Sequence, residues 1–222
     1  MLSGGERRHL QPRLTEPSSY DASATPRVLT VLSCVLEKLV ARNDQLSGGG
    51  GRGYGKRLSA FHGVRSPAIG LDKYVERIYK YTSCSPSCFV VAFVYIDRLL
   101  HRYPDSLVVS LNVHRLLVTS VMIASKTLDD EHYNNAFYAR VGGVSNSELN
   151  KLELELLFLL DFDVTVSSRI FESYCQHLEK EMLCNDLVER LPAPGITISV
   201  DDVTEISVGD AQTSSPPILV DS

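Results

Sequence analysis

The run VHRLLVTSVMIASKTLDD, residues 113–130, leaves the chain few ways to fold. From position 116 to position 124 every residue is apolar or carries a small hydroxyl. A helix that is apolar on nearly all sides must be covered on nearly all sides. Asn112 just before it suits an N-cap. Thr119, Ser120, Ala124 and Ser125 are small enough for neighbouring helices to come close. The expectation is a buried hub helix wrapped by others. On its wheel Leu116, Thr119, Ile123, Lys126 and Thr127 share one side, while Leu117, Val118, Val121, Met122 and Leu128 fall on others. One strip of the hub is therefore less apolar and ends in a cation. Two roles fit Lys126: complementing the negative end of its own helix, or pointing at a partner.

The chain has 222 residues, enough for one compact domain with tails. Its net charge of -5 argues against a general nucleic-acid binder, which would carry a basic stripe. No apolar run approaches the roughly 18 residues of a membrane span. The start, MLSGGERRHLQPRL, lacks an apolar core after its charges and does not read as a secretory signal. The five cysteines, at 34, 84, 88, 175 and 184, form no C-x-x-C pair. Cys84 and Cys88 have no histidine pair nearby, so reduced thiols are expected and zinc is not.

Residues 1–25 are rich in Ser, Pro, Arg and Glu and read as a disordered tail. Thr25 and Pro26 then suit the start of an amphipathic helix over residues 26–44, carrying Val28, Leu29, Leu32, Val35, Leu36, Leu39 and Val40. Residues 45–60, with GGGGRGYG, read as a linker. The compact part is expected over residues 61–164. LDKYVERIYKY is its first helix. SPSCFVVAFVYIDRLLHRY is the second, with Ser85 as cap and Pro86 in the first turn. The hub follows, then a short helix stopped by Gly142 and Gly143. A fifth helix opens with the capping box Ser145–Glu148. Ser167 or Ser168 caps one more helix, to about residue 184, with Ile170, Phe171, Tyr174, Leu178 and Met182 in phase. Residues 185–222 are acidic and rich in Pro and Ser, and read as a second disordered tail. With no convincing strand pair, the fold class is all-α: a five-helix bundle with one helix added at each end.

Two charges sit where the pattern wants apolar residues. Leu149, Leu152, Leu156 and Leu160 make a stripe on the fifth helix, and Glu153 falls inside it. A carboxylate desolvated among leucines needs a cation or several donors. Lys126 is the natural candidate, either as a structural ion pair or as half of a partner-binding edge. Asp97, within VYIDRLL, has Val90, Phe93, Val94 and Leu100 at helical spacing, so it is expected to be a buried structural acid wanting a guanidinium.

Evidence for an enzyme is thin. There is no phosphate-cradling loop, no G-x-S-x-G and no H-E-x-x-H. Asp129, Asp130, Glu131 and His132 sit at a helix end, where a solvated acidic loop is the ordinary explanation. No metal and no cofactor are expected.

Taken together, YIDRLL, VMIASKTLDD and LNKLELELLFLLDFDV resemble the segments of a cyclin box. More narrowly, FHGVRSPAIGLDKYVERIYKY and the helices after it resemble the plant P-type (U-type) cyclins, similar to the yeast phosphate-starvation cyclin. The resemblance covers about residues 28–182. It implies a single five-helix cyclin box and a regulatory subunit that binds and activates a cyclin-dependent kinase through its PSTAIRE-type helix, in cell division or phosphate signalling, in nucleus and cytoplasm. Neither nucleic acid nor membrane is an expected partner. Carried over residue by residue, Lys126 and Glu153 match the family's kinase-binding pair, and Leu116, Thr119 and Ile123, on the same strip, are expected to bind the kinase with them. Asp97 matches the family's buried aspartate. Most cyclins pair that aspartate with an arginine opening the first box helix. LDKYVERIYKY has none there, which leaves Arg65 and Arg77 as candidates. The M-x-x-I-L docking patch and a second box are absent.

Overall fold

A computed structural model describes residues 25–47 and 56–190, with side chains beyond Glu181 described only at Leu183. Among the described residues there are seven α-helices and no strand. They are α1 (Arg27–Ser47), α2 (Leu71–Thr82), α3 (Pro86–Arg102), α4 (Val113–Leu128), α5 (Asn135–Gly142), α6 (Asn146–Leu159) and α7 (Ser168–Arg190). The five box helices are α2 to α6, with one helix added before and one after, as the periodicity implies.

The hub is α4. Leu116, Leu117, Val118, Thr119, Ser120, Val121, Met122 and Ala124 are all fully buried. Its broadest packing is against α3, whose valines and aromatics cover it on one side, and α5 and α6 cover others. A helix with apolar residues all round needs this enclosure, because each large side chain withdrawn from water contributes about 1.5–3 kcal/mol. α1 lies across α2, and α7 bridges α1 and α3.

Local rules explain most of the boundaries. Gly143, at φ 73°, ends α5 in the left-handed conformation that glycine adopts without strain. Ser145 Oγ accepts the Glu148 amide at 3.1 Å, which is half of the capping box. The other half is diverted: the Glu148 carboxylate meets Arg115 Nε at 2.6 Å and ties α6 to α4. Ser167 caps α7 through the Ile170 amide.

Other expectations are corrected. Asn112 does not cap α4; its amide closes the preceding loop on Val109 and Leu107. Ser85 makes no cap bond either, because its hydroxyl faces Cys88 Sγ at 3.3 Å. The linker read over residues 45–60 is shorter at both ends. α1 runs to Ser47, and Lys56–Phe61 forms a 3-10 turn that buries Leu58 and Phe61 in the core. Likewise α7 continues past position 184 to Arg190. The tails expected to be disordered fall, apart from Thr25 and residues 185–190, outside the described residues, as does the whole of the GGGGRGYG run.

Candidate functional site

Three helices converge on one carboxylate. Lys126 comes from the last turn of α4, Asn135 from the first turn of α5 and Glu153 from the middle of α6. Lys126 Nζ donates to Glu153 Oε1 at 2.6 Å. Asn135 Nδ2 donates to Glu153 Oε2 at 2.6 Å and to Asn150 Oδ1 at 2.7 Å. The ion-pair side chains are 28% and 18% exposed for Lys126 and Glu153, so the pair sits at an edge rather than inside the bundle. Beside it lies a polar groove of about 500 Å³ lined by Lys126, His132, Asn134, Asn135, Asn146 and Asn150. The pairing of a lysine and a glutamate 27 positions apart was the central geometric expectation, and the structure brings them together.

The rest of the proposed strip behaves differently. Leu116 and Thr119 are fully buried and Ile123 is 3% exposed. Thr119 Oγ1 donates to the Arg115 carbonyl, within its own helix. These three belong to the core beneath the site and offer no surface to a partner, because α4 is covered along this strip as on its others. What the surface does offer is a second stripe on α6 and the turn after it: Leu154, Phe158 and Phe162, each more than half exposed. Residues four apart on a helix share a face, and Phe158 and Phe162 stack edge-to-face at 5.2 Å. Asp161 and Phe162 both have φ 56°, a left-handed conformation unfavourable for residues other than glycine. The strained turn holds Phe162 against Phe158. The signal for this stripe was present in LELELLFLLDF, whose Leu154 and Phe158 have no place on the inward face. The signal for Asn135 was weaker: it follows Asn134, which caps α5 by accepting the Phe137 amide.

Asp97 departs from expectation. Its side chain is one-third exposed, and among the described residues no guanidinium is paired with it. Tyr174 of α7 donates its hydroxyl to Asp97 Oδ2. His101, one turn on, lies 3.2 Å from the same oxygen. Arg77 donates instead to the Arg140 carbonyl. The wheel misplaced Asp97 because α3 is apolar over most of its girth, and the acid occupies its one polar edge, facing a cleft with Arg98, His101, Arg102 and Asp163.

The acidic loop after α4 is also not uniformly solvated. Asp129 turns inward and accepts from the Ser85 amide and Cys88 Sγ, each at 3.2 Å, and from Ser125 Oγ at 3.4 Å. Its desolvation opposes ionisation, but these donors outweigh it and hold the carboxyl below its ordinary value. Hydrogen bonding to Cys84, together with burial, pushes the Cys88 thiol up. Cys84, Cys88 and Cys175 are free thiols. Among the described residues no group of three or more His, Cys, Asp or Glu is placed to hold a metal ion, and no helix is long and apolar enough to cross a membrane.

Comparison with known proteins shows the family. The cyclin family model matches residues 26–164. The chain is 67% identical over 191 residues to Cyclin-U1-1 of Arabidopsis thaliana, covering 86% of this chain and 90% of that one. It is 51% identical over 161 residues to Cyclin-P1-1 of Oryza sativa subsp. japonica, covering 69% and 61%. It is 49% identical over 160 residues to Cyclin-U4-1 of Arabidopsis thaliana, covering 72% and 78%.

Proposed function

We propose that this chain, which belongs to the cyclin family and has that family's regulatory role, exerts it by gripping the PSTAIRE-type helix of a cyclin-dependent kinase at the Lys126–Glu153 edge. The observation that carries this reading is the ion pair held at an accessible edge, on a helix that also carries an exposed apolar stripe. A pair at an edge, with residual exposure on both members, keeps lone pairs and N–H groups for a second protein. Leu154, Phe158 and Phe162 supply the apolar area that a stable contact needs, with charge at its margin fixing register. Aromatic side chains left in water are unfavourable for an isolated domain and mark an interaction surface.

Binding there would bias the kinase helix toward its inward position and so favour the active state, since a ligand shifts an equilibrium by its differential affinity for the two states. Activation of the kinase, a place in cell division or phosphate signalling, and action in nucleus and cytoplasm extend this reading; they rest on the likeness to P-type and U-type cyclins. The test uses the purified chain with a PSTAIRE-type kinase. Lys126→Ala and Glu153→Ala should each abolish capture while circular dichroism stays helical. Normal capture by both variants would overturn the proposal. A kinase assay on the complex then separates an activator from a scaffold that binds without activating.

A further inference from the structure

We propose that Asn135 is a positioning residue for this grip: it fixes the plane of the Glu153 carboxylate so that the ion pair is presented ready-made to the kinase. The inference rests on the reading of the Lys126–Glu153 edge given above and assigns a third member to it.

The geometry is specific. Glu153 has its two oxygens held by separate donors from separate helices, Oε1 by Lys126 of α4 and Oε2 by Asn135 of α5. A carboxylate held by one donor alone can turn about its terminal torsion, which is broad and nearly free. One held at both oxygens cannot turn without giving up a hydrogen bond. Asn135 is itself fixed, because its Nδ2 also donates to Asn150 Oδ1, one turn before Glu153 on α6. Both amide hydrogens are thus spent, and α5 is pinned to α6 at the site.

The chemistry of the residue matters as much as its place. A lysine or arginine at position 135 would put a second cation on Glu153 and cancel more of its charge. A neutral amide orients the carboxylate and leaves its charge for the partner. An aspartate would be isosteric but could only accept while ionised, and would set a second negative charge against Glu153. Asn135 also lines the polar groove beside Lys126. Holding both side chains in the bound geometry beforehand lowers the ordering cost of association.

The experiment measures affinity for a purified PSTAIRE-type kinase, with thermal unfolding of each free variant recorded alongside. Asn135→Ala should weaken binding about 2- to 12-fold, the ordering cost of one side chain no longer held in place beforehand. Asn135→Asp should weaken it further. A purely structural tie would lower the thermal midpoint and leave affinity per folded molecule unchanged. The decisive arm is Asn135→Ala in a Glu153→Gln background. A residue that acts through Glu153 should then cost less than twofold. Wild-type affinity for Asn135→Ala, or a full additional loss in the Glu153→Gln background, would overturn the proposal. If Glu153→Gln and Lys126→Ala themselves bind as wild type, the reading of the edge fails instead, which is a distinguishable result.

Discussion

Tyr174 on α7 donates its hydroxyl to the Asp97 carboxylate on α3, across 77 positions of sequence. The same ring packs edge-on against Phe93 at 6.0 Å. This contact, with buried Leu178 and the packing of Phe171, fastens the last helix to the bundle. The acid that would want an arginine is met here by a phenol. Burial and the neighbouring carboxylate both push the Tyr174 hydroxyl up, so it stays a donor at physiological pH.

Tyr174→Phe should therefore loosen α7 selectively. It keeps the ring on Phe93 and removes one hydrogen bond to a charged group, worth about 1.5–3 kcal/mol when buried and less at this partly exposed site. Amide exchange should speed up along α7 and stay unchanged in α4. Uniform acceleration across the bundle would contradict a local fastening role.

A second prediction concerns pH. His114 is buried, stacks edge-on with Tyr74 at 4.8 Å and bonds the Ile69 carbonyl through Nε2 at 2.9 Å. A carbonyl can only accept, so Nε2 carries the hydrogen, and Nδ1 is buried with no partner among the described residues. Burial drives the His114 pKa below its ordinary value. The unfolded chain then binds the proton more readily than the native one, so stability rises with pH through this range. The contribution is present above about pH 6.5, the unfolded value, and is lost as pH falls toward the depressed folded value. The thermal midpoint should drop as pH falls below about 6.5, and His114→Gln should flatten that slope. An identical slope in the variant would assign the effect elsewhere.

The hub was legible because its pattern admits one solution: nine successive apolar or small positions must be enclosed, and enclosure demands helices on every side. Glu153 was legible for the same reason, as a charge within a leucine stripe. Leu116, Thr119 and Ile123 were misassigned because a wheel gives direction but not depth; the strip that ends at Lys126 is buried until its last turn. Asp97 and Tyr174 were beyond reach, since a contact 77 positions apart leaves no trace in local periodicity. Asn135 was missed because a lone amide at a helix start reads as a cap.

Close packing at α5 gives a third prediction. A Cβ on Gly142 would stand 2.9 Å from Val118 Cγ2 and 3.3 Å from the Tyr74 hydroxyl, which itself bonds the Gly142 carbonyl. Val118 is fully buried on the hub and cannot move aside. Gly142→Ala should therefore destabilise by about 1–3 kcal/mol, the usual cost of overpacking. Val118→Ala creates a cavity by itself, but combined with Gly142→Ala it should cost less than the two added together. Strict additivity in thermal unfolding would show that the glycine serves some purpose other than space.

The exposed stripe separates binding from folding. Phe158 is 66% exposed, so Phe158→Ser removes little buried area, and surface substitutions of this kind usually stay within about 0.5 kcal/mol. A folding role thus predicts a large loss of stability, and a docking role predicts almost none. At the centre of an interface an aromatic side chain commonly costs about 2 kcal/mol or more on truncation, a factor of roughly 30 in affinity. Phe158→Ser should therefore keep the wild-type thermal midpoint and lose most kinase binding. Asp161→Gly is its complement. It relieves a left-handed residue worth roughly 1 kcal/mol, so it should raise the midpoint slightly while letting Phe162 move off Phe158. If Phe158→Ser binds as tightly as wild type, the stripe lies outside the contact, and the ion pair alone must account for recognition.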